Sequence, residues 1–139
     1  MRLQTLKSLL AALGTGLLLA ATATQAADPG VSDNTITLGM SAPFTGPNGA
    51  YGKEMKEGAL AYFAQLNAAG GVGGKKIELL SLDDGYETEK TVANTRKLIN
   101  DNKVFALMAY YGSSPTTEAM KVFSEAKVPL LGTISGAGN

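Results

Sequence analysis

The sequence has no cysteine and no histidine among its 139 residues. Without cysteine the chain can form no disulfide, and it offers no thiol to which a lipid could be attached. Without histidine it lacks the commonest general base and the commonest metal ligand. These absences exclude a disulfide framework and a lipidated cysteine, and they disfavour a histidine-dependent enzyme or metal site.

The first 26 residues have the three parts of a cleavable signal peptide. Arg2 and Lys7 form a basic start, Leu9 to Ala21 is an apolar run, and small residues end in Thr24-Gln25-Ala26. We expect cleavage after Ala26. A membrane anchor is the alternative, but the apolar run is too short to span about 30 Å of hydrocarbon comfortably. With no cysteine for a lipid, this pattern predicts a free protein in the periplasm.

The charge balance changes when this leader is removed. The remaining 113 residues are enough for one small domain with a single core. Arg2 and Lys7 leave with the leader, so 10 basic and 12 acidic residues remain and the formal net charge is −2. No basic field that could hold nucleic acid is left, and we expect no nucleic-acid partner.

Strand and helix patterns alternate along residues 27–139. Strands are predicted at 36–40, 76–82 and 104–109 with a fourth from Val128, and helices at 52–69 and 87–102 with a third capped by Ser114 and starting at Pro115. Residues 41–51 carry two prolines and two glycines and are predicted to be a loop. In the second helix, Val92, Thr95 and Ile99 are expected to face inward. This order predicts an α/β fold with a parallel, doubly wound sheet.

Ligands of open parallel sheets bind at the carboxyl ends of the strands. Three glycine-, serine- or threonine-rich loops follow predicted strands, namely Ser41 to Gly52, Tyr110 to Ser114 and Gly132 to Asn139. The second is the strongest candidate, because it opens into a helix whose N-terminal amides favour a carboxylate. Taken alone, Ser114 is better explained as a helix cap. Tyr111 and its aromatic neighbour beside Ser113 favour binding for the loop as a whole.

Other motifs have simpler explanations. Tyr51 is equally well explained as the aromatic wall of a site or as a packing contact at the start of a helix. Asp83-Asp84 before Gly85 is predicted to be a turn rather than a metal site or an acid–base pair. The glycines of residues 70–74 follow a helix and precede a strand, the wrong order for a dinucleotide fingerprint. We therefore predict no catalytic residue, no cofactor and no metal.

Phrases spread along the chain carry a family resemblance. They are Ile36-Thr37-Leu38-Gly39 with Pro43-Phe44-Thr45-Gly46, Tyr51-Gly52 with Glu57-Gly58, Ile77-Glu78-Leu79 with Asp83-Asp84, and Val128-Pro129-Leu130-Leu131-Gly132. Together they resemble the leucine/isoleucine/valine-binding protein family, the type I periplasmic solute-binding proteins of ABC importers. The resemblance implies a two-lobed protein that closes around a small ligand and meets an ABC permease in the inner membrane. Residues 27–139 would form an incomplete N-terminal lobe.

The resemblance also implies which residues bind the ligand. The first lobe would hold a carboxylate with hydroxyls and amides of the loops after strands three and four, and Tyr51 would add an aromatic contact. The matching loop positions are Gly112, Ser113, Ser114, Ile134, Ser135 and Gly136. The pair Tyr110-Tyr111 departs from the branched-chain pattern, so the expected ligand is a branched-chain or related amino acid or another small carboxylate. The alternative function is a sensory ligand-binding ectodomain, whereas an enzyme is disfavoured.

Overall fold

The computed structural model describes residues 28–136, so the predicted signal peptide lies outside the described residues. Strands and helices alternate in the order β1 (Thr35–Ala42), α1 (Gly49–Ala68), β2 (Lys76–Asp83), α2 (Thr88–Asn100), β3 (Ala106–Met108), α3 (Ser113–Glu125) and β4 (Leu130–Leu131). This alternation confirms the predicted α/β class. Within residues 28–136, no helix combines the length and the apolar character needed to cross a membrane.

The four strands form one parallel sheet in the order β2-β1-β3-β4. Leu38 in β1 pairs with Leu79 in β2 on one side and with Ala106 in β3 on the other. The chain therefore moves outward from β1 to β2, crosses back to β3 and continues to β4. The reversal between β1 and β3 is a topological switch point, where open α/β sheets leave a crevice at the carboxyl ends of the strands.

Both faces of the central strand β1 are covered, as is usual for parallel sheets. On one face Met40 and Ala42 pack with Met55 of α1. On the other face, a cluster of Leu98, Val104, Leu107, Tyr110 and Ala119 joins α2 and α3 to the sheet. These two cores fix the strands whose carboxyl ends carry the loops of the candidate site.

The predicted loop at residues 41–51 is wrong at both ends. Ser41 and Ala42 complete β1, and α1 begins at Gly49. The glycine that marks the predicted helix start, Gly52, is needed inside the helix, because a Cβ there would lie 1.9 Å from the carbonyl oxygen of Pro43. Glycine in this segment therefore allows a close approach between the first turn of α1 and the preceding loop.

The later elements also differ from their predicted bounds. Residues 104 and 105 precede β3, since the amide of Val104 donates to the carbonyl of Leu98 at the end of α2 (3.1 Å). β4 begins at Leu130 rather than Val128. α3 begins at Ser113 with Gly112 as the N-cap, so Ser114 is not the cap. The buried face of α2 is Thr91, Thr95 and Leu98, which replaces the predicted face of Val92, Thr95 and Ile99.

Candidate functional site

The loops that follow β1, β3 and β4 meet at the carboxyl edge of the sheet. Tyr111 pairs with Ile134 in a parallel bridge. The amide of Gly112 donates to the carbonyl of Ile134 (2.8 Å), and the amide of Ile134 donates to the carbonyl of Tyr110 (2.9 Å). Tyr51, in the first turn of α1, stacks on the ring of Tyr111. Residues from the three predicted loops therefore lie together.

The backbone bonds between these loops occupy two of the amides that the resemblance implies for ligand binding. The N–H groups of Gly112 and Ile134 each donate within the protein, and the side chain of Ile134 is 52% exposed. These two hydrogen bonds join the loop after β3 to the loop after β4. A ligand at this edge of the sheet would therefore be held by donors other than these two amides.

Ser113 is the centre of the polar part of the site. Its Oγ accepts a hydrogen bond from Ser135 Oγ (3.2 Å) and another from the amide of Gly136 (3.1 Å). A hydroxyl that accepts two hydrogen bonds still has its own proton to donate. Ser113 and Ser114 are the first two residues of α3, and amides in this position have no carbonyl partner within the helix. The side chain of Ser114 is exposed.

A small cavity continues from this polar cluster between α3 and β4. Its volume is about 300 Å³, and its lining includes Thr116, Thr133, Ser135 and Leu130. Thr116 is only 7% exposed, and within residues 28–136 its Oγ1 has no hydrogen-bond partner. Buried hydroxyls are usually paired. The first turn of α3 thus carries a buried hydroxyl with unused bonding capacity beside the serine cluster.

Three tyrosine rings form an aromatic cluster next to the serines. The ring centroids of Tyr51 and Tyr111 lie 5.0 Å apart with the planes inclined by 13°, and Tyr86 lies 5.7 Å from Tyr111 with an inclination of 58°. Partial burial raises the pKa of Tyr111, and the neighbouring phenols of Tyr51 and Tyr86 raise it further. The role of Tyr51 as the aromatic wall of a site stays a prediction.

Tyr86 belongs to the β2–α2 turn, which lies outside the three glycine-, serine- or threonine-rich loops that the sequence indicates as candidates. Its backbone has φ 68°, an uncommon conformation for a residue other than glycine. The ring reaches Gly112, where φ is 99° and a Cβ would lie 2.4 Å from Tyr86 Cε2. Glycine at 112 is therefore required both by the backbone conformation and by the tyrosine ring. The available signal was an aromatic residue directly after a strand-ending turn.

Asp84 holds the turn that carries Tyr86. Its side chain is buried and accepts hydrogen bonds from Ser41 Oγ (2.8 Å) and Thr91 Oγ1 (3.0 Å). A third bond comes from the amide of Tyr86 (2.9 Å). The carboxylate thus connects β1, α2 and the turn, which confirms a structural role for this aspartate.

Asp83 organises the loop on the other side of the turn. Its carboxylate accepts hydrogen bonds from Thr45 Oγ1 (2.6 Å) and from the amides of Phe44 (2.7 Å) and Gly85 (3.0 Å). Desolvation raises the pKa of Asp83, but the hydrogen bonds from Thr45, Phe44 and Gly85 outweigh it, so the pKa lies below its ordinary value. In the part of the chain that the structure describes, no group of three acidic side chains is placed to hold a metal ion.

A family model described as "Periplasmic binding protein" matches residues 35–139, which includes every element and every loop described above. An "Amino acid binding protein" of Pseudomonas aeruginosa is 34% identical over 93 residues, covering 67% of this chain and 25% of that protein. A "Leucine-, isoleucine-, valine-, threonine-, and alanine-binding protein" of the same organism is 33% identical and covers 70% of this chain and 26% of its own length. The chain spans about a quarter of the length of these curated relatives.

Solved structures show the same similarity. A branched-chain amino acid transporter substrate-binding protein of Streptococcus pneumoniae, in complex with isoleucine, is 31% identical with a TM-score of 0.70. The similarity covers 75% of this chain and 30% of that one. A solute-binding protein of an ABC transporter from Rhodopseudomonas palustris, in complex with 3,4-dihydroxybenzoic acid, is 26% identical with a TM-score of 0.68 and covers 73% and 28%.

Proposed function

The chain belongs to the periplasmic binding protein family, and we propose that it supplies part of the first lobe of a solute-binding protein that serves an ABC importer. Residues 1–26 would direct it to the periplasm and be removed, and residues 27–139 would form an incomplete N-terminal lobe. Its partners would be a small-molecule ligand and an ABC permease. The relatives are named as binding proteins, which supports a role without catalysis.

The ligand that we propose is an amino acid or another small carboxylate. Isoleucine and 3,4-dihydroxybenzoic acid, bound by two similar proteins, differ in almost everything except a carboxylate. In this chain the observation that supports such a ligand is the serine cluster at the start of α3. Ser113 accepts from Ser135 and Gly136 and keeps one proton for donation, beside helix amides that favour negative charge.

The two halves of the ligand would be held by different lobes. This chain offers donors for the carboxylate and tyrosine rings for an adjoining group, all along one edge of one sheet. A second lobe would close over the exposed side and bring contacts to the rest of the ligand, which shifts the protein toward the closed form. The closed form is the one that the permease would recognise.

Substitution of Ser113 by alanine tests the carboxylate site. Isotope-labelled protein is titrated with isoleucine and with isoleucinamide while the amide resonances of Ser114 and Gly136 are followed. A hydrogen bond to a charged group is worth about 1.5–3 kcal/mol, so Ser113→Ala should weaken binding of the acid roughly tenfold or more. Binding of isoleucinamide, whose amide group is neutral, should weaken much less.

Ser124→Ala, an equivalent change at the far, exposed end of α3, is the control and should leave both titrations unchanged. Circular dichroism of each variant checks that the fold is intact. If Ser113→Ala binds the acid and the amide as the original protein does, Ser113 does not hold the carboxylate. If neither compound moves the resonances of the original protein, the proposed site is wrong for this pair of ligands.

A further inference from the structure

Tyr86 lies in the site although neither the loop pattern nor the family resemblance points to it. It follows β2, on the side of the switch point opposite β3, and its ring reaches across to Tyr111 at 5.7 Å. The three tyrosines thus come from three separate segments of the chain. Residues 51, 86 and 111 are far apart in the sequence, so it is the fold that brings their rings together.

The position of Tyr86 is imposed by its surroundings. The buried carboxylate of Asp84 accepts from the Tyr86 amide, and Thr91 and Ser41 hold that carboxylate in turn. The backbone adopts φ 68°, which costs free energy in a residue with a side chain. At the other end, Gly112 leaves the space that the ring fills. The fold therefore maintains an unfavourable backbone conformation that directs an aromatic ring at the cleft.

The rings have free surface for a ligand. Tyr51 is 52% exposed and Tyr86 is 42% exposed, whereas Tyr110, one residue from the cluster, is fully buried. Aromatic rings gain more from contact with another aromatic ring than from a saturated group of the same area, because offset and edge-to-face contacts add to burial. Tyr111 and Ser113 are two residues apart, a span of at most about 7 Å, so one small molecule can contact both groups.

We infer that Tyr86 is a specificity-determining residue of this site, which together with Tyr51 and Tyr111 selects carboxylates that carry a flat aromatic ring over aliphatic ones. The inference rests on the proposed function, since it requires that the serine cluster holds a carboxylate. It adds that the group next to the carboxylate is recognised by the tyrosine cluster. Branched aliphatic amino acids would then be the weaker ligands.

Two probes of similar size separate ring recognition from carboxylate recognition. Benzoate and cyclohexanecarboxylate share the carboxylate, but only benzoate is flat and aromatic. Labelled protein is titrated with each, and the tyrosine ring resonances and the Ser114 amide are followed together. We expect benzoate to bind roughly two- to tenfold more tightly. The ring signals of Tyr51, Tyr86 and Tyr111 should move with benzoate, while the Ser114 amide should move with both.

Variants assign the preference to Tyr86. Tyr86→Leu should abolish the preference for benzoate while cyclohexanecarboxylate still binds, and Tyr86→Phe, which keeps the ring, should restore it. Tyr62→Leu changes an exposed tyrosine on α1 that contacts Phe63 and should have no effect. If Tyr86→Leu does not fold, Tyr86→Asn removes the ring with a residue that tolerates φ 68° and should likewise abolish the preference.

The outcomes separate the inference from the proposed function. Equal affinity for the two probes in the original protein, or a preference that survives Tyr86→Leu, overturns the inference and leaves carboxylate binding standing. A protein whose Ser114 amide responds to neither probe overturns both. If the tyrosine signals move and the Ser114 amide does not, the serine cluster does not hold the carboxylate. The inference then loses its basis as well.

Discussion

Adjacent side chains at the end of β2 stabilise different parts of the site. Asp84 is buried and fixes the turn that carries Tyr86, whereas Asp83 is exposed and binds the loop after β1 through Thr45 and Phe44. Both work as hydrogen-bond acceptors, and an ionised carboxylate accepts more strongly than a neutral one. We therefore expect the β1–α1 loop to be held less tightly when Asp83 loses its charge.

Asp83→Asn should change how stability depends on pH. Because the folded-state pKa of Asp83 is depressed, its contribution is present above the unfolded pKa, near pH 4, and is lost as pH falls through the folded pKa. At neutral pH the variant should be less stable by about 0.5–1 kcal/mol, a small value because solvent screens an exposed group. Urea unfolding across the pH range measures the difference.

The two unfolding curves should converge once the pH falls below the depressed folded-state pKa of Asp83, where aspartate is protonated in both states. Asp33→Asn, which removes another exposed carboxylate, is the matched control. A stability difference that stays constant down to low pH would show that the charge of Asp83 contributes nothing to the fold.

Among single residues, the serines could be predicted as candidate site residues from the sequence, because serine and glycine before a helix are typical of an anion site. Tyr86 could not. A tyrosine in a turn has no distinctive pattern, and its importance comes from φ 68° and from the missing side chain of Gly112, both of which depend on the folded chain. The occupation of the Gly112 amide by Ile134 is likewise a product of the folded sheet.

The helix α2 illustrates why apolar periodicity misplaced a buried face. Thr91 and Thr95 point into the protein because their hydroxyls have partners, Asp84 for Thr91 and the Tyr110 hydroxyl for Thr95 at 2.9 Å. Burial raises the pKa of Tyr110, an effect that outweighs the opposing effect of its hydrogen bond with Thr95 and that the nearby Asp84 increases. A polar core of this kind moves the inward face by one residue, from Ile99 to Leu98.

Leu98→Ala and Ile99→Ala provide a matched test of that face. Leu98 of α2 is fully buried against β3 and α3, so its truncation should cost about 2–5 kcal/mol in the free energy of unfolding. Ile99 only packs against the edge of the same cluster and should cost clearly less. Leu60→Ala, on the exposed side of α1, should be close to neutral.

These free energies come from urea unfolding monitored by circular dichroism. A larger loss for Ile99→Ala than for Leu98→Ala would restore the face predicted from periodicity. The element order itself was predictable, since long apolar runs and helical spacing identify each strand and helix even where its first and last residues are uncertain. The bounds of α1 were not, because glycines usually break helices, whereas here Gly49 lies against Phe44 and Gly52 against Pro43 inside the first turn.

For the whole molecule, the sheet order leaves a crevice at the carboxyl ends of the strands, which supports our proposal that this chain offers one side of a cleft. The serine cluster, the cavity of about 300 Å³ and the tyrosine cluster all lie along one edge of the described residues. Sequence patterns sufficed to predict this class of fold and the position of the edge. They could not identify the ligand, since the groups that complete its recognition would lie on a facing lobe.

The purified chain should therefore bind small carboxylates weakly. With contacts to one side only, we expect dissociation constants of about 1 mM or higher, equivalent to about −4 kcal/mol. Titration calorimetry with isoleucine and benzoate, beside the resonance titrations, measures this. Submicromolar binding of either compound would show that one lobe is enough and that no closing partner is needed.

The pairing of Leu38 in β1 with Ala106 in β3 has a consequence for the timing of folding. The central strand is made early in synthesis, yet it gains its second neighbour only after both crossover helices and β2 have been completed. Pairings between distant segments form slowly, because the intervening chain must first be ordered. We therefore expect slow folding during synthesis, and such a delay would suit a chain that, as we propose, is exported across a membrane before it folds.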